Sequence, residues 1–138
     1  MLSTLHTTNA SQSVNRILDF FPADEREQIR RQLAGCLRSV ICQRMVTTVN
    51  NTMTPALEIL INTPIVKKMM EENRLEKLPA AIETGTEDGM ITFNQSLFNL
   101  VKAGKVTEKE ALAKASNPQA LEMNFKGIFL DEGRRILQ

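Results

Sequence analysis

The lone histidine of this 138-residue chain, His6, stands among hydroxyl side chains: Ser3, Thr4, Thr7 and Thr8. An imidazole exchanges protons near neutral pH, and hydroxyls beside it can donate to phosphate oxygens. The run Met1-Leu2-Ser3-Thr4-Leu5 reads as a strand entering this polar loop, and a helical pattern begins near Ala10. If that strand belongs to a parallel α/β sheet, His6 lies at its carboxyl end, where such sheets take their ligands. A histidine among threonines is more often a local hydrogen bonder, and by chemistry alone the ligand reading is a weak signal.

Other reactive constellations are missing. A P-loop needs Gly-x-x-x-x-Gly-Lys-[Ser/Thr], because backbone amides wrap the phosphates and a lysine neutralises them. No such run occurs. Gly85-Thr86-Glu87-Asp88-Gly89 offers two glycines but no lysine, and its carboxylates would repel a phosphate. There is no Cys-x-x-Cys to pair with the single histidine as a metal site, and no Gly-x-Ser-x-Gly elbow to support a nucleophilic serine. Cys36 and Cys42 are not helical neighbours, so the reading is two small buried thiols in a reducing compartment.

With 17 basic and 16 acidic residues the net charge is +1, which makes no bulk case for nucleic acid. No apolar run approaches the ~20 residues of a membrane span, and no signal peptide is visible. Cytoplasm is the expected compartment. The abrupt opening suggests a piece of something longer.

The elements that must position these residues are well punctuated. One helix is expected from about Ala10 to Phe21, with Val14, Ile17, Leu18 and Phe21 on one face. A second is expected from about Asp24 towards Gln43, burying Ile29, Leu33, Leu37, Val40 and Ile41. Its other face carries Arg26, Arg30, Arg31 and Arg38, most of them read as solvated. An extended stretch from Gln43 to Val49, Asn50-Asn51, and Ala56 to Asn62 reads as a hairpin, since asparagine tolerates the positive φ of tight turns. Thr63-Pro64 and Asn117-Pro118 each place a capping side chain before a proline at the first helical position. Thr92-x-x-Gln95 and Thr107-x-x-Glu110 are capping boxes. Phe93, Leu97, Leu100 and Val101 form one later stripe, and Leu121, Phe125, Ile128 and Phe129 another. The sum is helix-rich α/β, with six or seven helices and about three strands.

The order of short motifs carries a resemblance. Ser3-Thr4-Leu5-His6-Thr7-Thr8-Asn9-Ala10, then Val14-Asn15-Arg16-Ile17-Leu18-Asp19-Phe20-Phe21-Pro22, resembles the His box and following helix of the secretion and pilus ATPases. It continues through Leu37-Arg38-Ser39-Val40-Ile41-Cys42-Gln43-Arg44 and Glu58-Ile59-Leu60-Ile61-Asn62-Thr63-Pro64. It reaches Ala81-Ile82-Glu83-Thr84-Gly85, Gly89-Met90 and Thr92-Phe93-Asn94-Gln95-Ser96-Leu97. The PilT-type retraction branch fits best, because the four-cysteine zinc module usual in assembly and type II secretion ATPases is absent after Gln43-Arg44.

The resemblance implies the C-terminal part of a RecA-like P-loop ATPase core, residues 1–62 from the His box, followed by a helical lobe, residues 63–138. It implies a cytoplasmic motor, peripheral to the inner membrane, that hydrolyses ATP with Mg2+ to depolymerise the pilus and power twitching motility. The expected partners are neighbouring subunits of a homohexamer and the inner-membrane pilus platform, without nucleic acid and without an integral membrane span. Thr4 and His6 carry over as the nucleotide-proximal His box, and Arg16 matches a recurrent position with no assigned role. The phosphate cradle would lie upstream, so neither turnover nor bound cofactor is expected of these residues alone. His6 would sense phosphate and pass the signal to helices against an adjoining subunit. Ile65-Val66-Lys67-Lys68-Met69-Met70-Glu71-Glu72 stands where retraction ATPases often carry Ala-Ile-Arg-Asn-Leu-Ile-Arg-Glu. Lys67, Lys68 and Glu71 thus mark a diverged partner surface in which Glu71 inverts a charge. The alternative is a stand-alone helical interaction module without nucleotide role. A fragment should expose an apolar sheet edge, whereas a module should be closed on all sides.

Overall fold

The Asn9 side chain starts helix α1 (Ala10–Asp19), its Oδ1 accepting from the Gln12 amide at 2.8 Å. A computed structural model describes residues 1–129 of the chain. In it follow α2 (Arg26–Cys36), strands β1 (Ser39–Thr47) and β2 (Met53–Ile61), and α3 (Pro64–Glu71). Then come α4 (Leu78–Thr84), α5 (Phe93–Lys102), α6 (Glu108–Lys114) and α7 (Pro118–Phe125), with short 3-10 turns before and after α4.

The strands form an antiparallel pair in register from Ser39↔Ile61 to Thr47↔Met53. Asn51 turns the hairpin at φ 59°, and the Thr48 amide donates to the Thr52 carbonyl at 2.8 Å to close it. The inner face carries Cys42, Val46, Ala56, Glu58 and Leu60, all buried. Val14 of α1, Leu60 of β2, Phe93 and Leu97 of α5 and Leu121 of α7 are completely buried in one cluster. Each such side chain contributes about 1.5–3 kcal/mol by leaving water.

Several expectations change. Residues 1–5 form no strand, and Met1 and Leu2 are exposed. An extended segment becomes a strand only beside a hydrogen-bonding neighbour, and none is present among the described residues. The count is therefore two strands, plus one antiparallel bridge between Ile59 and Ile91. Helix α2 stops at Cys36 rather than near Gln43, because Leu37 is extended (ψ 135°) and the following residues pair with β2. β-Branched Val40 and Ile41 fit the helical period but pack better on a pleated surface. Helix α7 ends at Phe125, so Ile128 and Phe129 lie beyond it and largely exposed, although the Phe129 ring still meets Phe98 edge-on at 5.8 Å. Residues 130–138 of the expected lobe lie outside the described residues.

Thr92 and Gln95 make both bonds of a capping box. Thr107 caps the Glu110 amide at 3.2 Å, but the Glu110 carboxylate accepts instead from the Thr47 amide at 3.2 Å, tying α6 to β1. Thr63 and Asn117 cap as expected, each ahead of a proline. No helix of the described residues is long and apolar enough to cross a membrane.

Candidate nucleotide-proximal site

The loop carrying Thr4 and His6 reaches α1 through a set of short polar contacts. Thr7 Oγ1 and Ser13 Oγ lie 2.5 Å apart, and the Thr8 amide and hydroxyl both donate to Gln12 Oε1, at 2.7 and 2.8 Å. Gln12 is exposed; one turn on, and on the same face, Arg16 is exposed in the last turn of α1. Thr4 and His6 are themselves exposed. The loop therefore presents an imidazole and a hydroxyl outward from an anchored base.

Two residues of the hairpin do the anchoring. Glu58, buried on β2, accepts from the Ala10 amide through Oε1 at 3.0 Å and so holds the first turn of α1. Arg44, half-buried on β1, donates through Nη2 to the Thr8 carbonyl at 3.2 Å. Its Nη1 donates to the Lys114 carbonyl and to Ser116 Oγ, both at 2.9 Å, and its guanidinium lies 3.9 Å from the centre of the Phe93 ring. Both residues stand inside the quoted motifs, but the motif order alone does not mark either as a site residue. The available signal was the strand period: Arg44 lies between inward Cys42 and Val46, and Glu58 between inward Ala56 and Leu60. A charged residue on an inward face must find partners.

The start of α1 is not a free phosphate cradle. Its Ala10 amide serves the Glu58 carboxylate, and its Gln12 amide serves Asn9. A carboxylate already at a helix N-terminus disfavours a second anion there. The residues present therefore do not fit a whole nucleotide.

The two cysteines differ, against the expectation that both are buried: Cys36, at the exposed end of α2, is open to solvent, and Cys42 is buried. Both are free thiols. Burial pushes the Cys42 thiol above its usual range; the Ser13 hydroxyl lowers it, the Glu58 charge raises it and Arg44 lowers it. Above about pH 8.5 the unfolded thiol ionises while the folded one keeps its proton, so the unfolded state binds fewer protons there. Stability accordingly falls as pH rises past that value. We expect urea unfolding to show this alkaline loss, Cys42→Ala to reduce it, and thiol reagents to modify Cys36 well before Cys42.

The residues expected to form a partner surface lie together on α3. Lys67, Lys68 and Glu71 are all exposed, and Lys67 Nζ is 3.9 Å from Glu71 Oε1. At that exposure the pair contributes roughly 0–1 kcal/mol. The end of α3 is held by Arg30, whose Nε donates to the Met70 carbonyl at 2.9 Å. Arg30 is thus not merely solvated, and it places a cation where the helix dipole favours one.

No family model matches the chain. Among curated proteins it is 37% identical over 122 residues to a twitching motility protein of Neisseria gonorrhoeae, covering 88% of this chain and 33% of that protein. It is 34% identical over 119 residues to the type IV pilus retraction ATPase PilT of Pseudomonas aeruginosa, covering 86% and 35% respectively. The crystal structure of the pilus retraction motor PilT with bound ADP superposes with a TM-score of 0.75 at 30% identity, over 86% of this chain and 33% of that one. Over most of its length the chain is similar to pilus retraction ATPases. It matches the C-terminal part of this RecA-like retraction ATPase and spans about a third of the length of its curated relatives. The structure accounts for how the hairpin holds the loop that carries His6.

Proposed function

We propose that this chain is the portion of a hexameric pilus motor that completes its nucleotide site from the side and relays occupancy to a helical lobe. The observation that carries this is the match, over most of the chain, to a retraction motor that binds ADP. In the assembled motor ATP and Mg2+ are held by the preceding part, and hydrolysis drives pilus depolymerisation and twitching motility. Thr4 and His6 approach the nucleotide, with Arg16 one turn beyond Gln12 on the flanking helix. Residues 1–62 belong to the RecA-like core and residues 63–138 to the lobe. Lys67, Lys68 and Glu71 face a neighbouring subunit or the membrane platform, and the motor works in the cytoplasm against the inner membrane. These residues alone carry no bound nucleotide.

The sheet supports a fragment rather than a closed module. Ile41 (61% exposed), Met45 (47%) and Met53 (57%) lie on the outer face of the hairpin. No strand of the described residues pairs with the far edge of β1. Such a face and edge invite further sheet.

The test joins this chain to the upstream two thirds of the Pseudomonas aeruginosa PilT, replacing the matched segment. The assembled chimaera should hydrolyse ATP, and His6→Ala should lower kcat about tenfold or more, the loss of at least one ~1.4 kcal/mol contact. An assembled chimaera indifferent to His6→Ala would remove the nucleotide-proximal role. One that assembles but has no affinity for ATP would remove the functional reading altogether.

A further inference from the structure

We propose that Arg44 is a positioning residue that couples the setting of the His6 loop to the junction between α6 and α7. The inference deepens the nucleotide-proximal reading of His6 and rests on it for its functional meaning.

The geometry is that of a rigid three-way connector. One guanidinium joins the Thr8 carbonyl, two residues past His6, to the Lys114 carbonyl and Ser116 hydroxyl at the helix junction. Those partners are 36, 70 and 72 residues away in sequence. The fork is planar, so Nη1 and Nη2 move together. A displacement at Lys114–Ser116 must therefore break a bond or rotate the plane and pull on Thr8. The Phe93 ring beneath the guanidinium limits any rotation out of that plane.

The far end is a joint rather than a continuous helix. Ala115 is extended (ψ 145°), and Asn117 caps α7. Asn94, beside Phe93 on α5, clasps that cap, donating to the Asn117 carbonyl at 2.9 Å and accepting from its amide at 3.4 Å. At the near end, Thr8 is also held by Gln12, so a pull on its carbonyl turns the loop about a fastened point. No carboxylate of the described residues lies within ion-pair distance of Arg44. Its bonds go to neutral oxygens, and its charge remains beside the His6 loop.

A simple staple would have the same contacts, so the test must read coupling. On the 138-residue chain, the Thr8 amide and His6 ring signals are followed by NMR in wild type, Ser116→Ala, Arg44→Lys and the double variant. Lysine keeps the charge and loses the fork. Ser116→Ala should shift the Thr8 and His6 signals in the wild-type background, and that shift should be lost in the Arg44→Lys background. Unmoved Thr8 and His6 signals in Ser116→Ala overturn the proposal, as does a shift of equal size in both backgrounds. Ser116 is exposed, so its single variant decides the matter even if Arg44→Lys does not fold. No nucleotide enters the measurement. A chimaera indifferent to His6→Ala would remove the nucleotide role and leave this coupling standing or falling on its own data.

Discussion

Phe93→Ala lowers the free energy of unfolding by about 3–5 kcal/mol, the range for emptying a fully enclosed aromatic site. Phe93 is completely buried at the first turn of α5 and belongs to the central cluster with Leu60 and Leu97. The loss is large against the roughly 5–15 kcal/mol that single domains possess. It has a second, local component, because the ring supports the Arg44 guanidinium from 3.9 Å. Urea unfolding followed by circular dichroism gives the global term. A Phe93→Leu variant keeps much of the volume and removes the π face, so it should cost clearly less than alanine while still loosening the Thr8 loop. A cost of under about 1 kcal/mol for alanine would mean that this position lies outside the core.

Glu58→Leu costs about 2–3 kcal/mol, although it puts an apolar residue where an acidic one stood. The carboxylate accepts the Ala10 amide at 3.0 Å in a buried setting. A bond to a charged group is worth about 1.5–3 kcal/mol, and the amide left behind pays for its lost solvation. Glu58→Gln keeps an acceptor oxygen and should cost markedly less. It should also make Cys42 more reactive, because the Glu58 charge is one of the influences that raise that thiol. Thiol labelling at fixed pH reads this directly. If Gln and Leu prove equally mild, Glu58 does not hold the start of α1.

Much of the scaffold was legible because it is written in local chemistry. Asn50-Asn51 turned the hairpin, and Thr63, Thr92 and Asn117 capped their helices, because each needs only its own neighbours. The failures arose where distant partners decide. Val40 and Ile41 suited a helical stripe until β2 supplied a hydrogen-bonding neighbour. Glu110 was expected to complete a capping box and instead reached Thr47, 63 residues away. The segment before His6 reads as a strand but has none beside it among the described residues.

The site divides in the same way. His6, Thr4 and Arg16 came from the motif resemblance, and the structure places them on or beside one anchored loop and helix. The importance of Arg44 and Glu58 lies in partners up to 72 residues distant, which spacing along the chain does not reveal. Once the hairpin register is known, both are inward-facing charges that must be satisfied.

The account stands most directly on whether these 138 residues can process ATP unaided. Calorimetry with ATP and Mg2+, paired with phosphate release on the same purified sample, answers that. The account predicts negligible heat of binding and no release above the buffer blank, because the start of α1 is occupied by Glu58 and the chain has no P-loop lysine. Steady phosphate release proportional to protein concentration would contradict it and require a catalytic site within this chain.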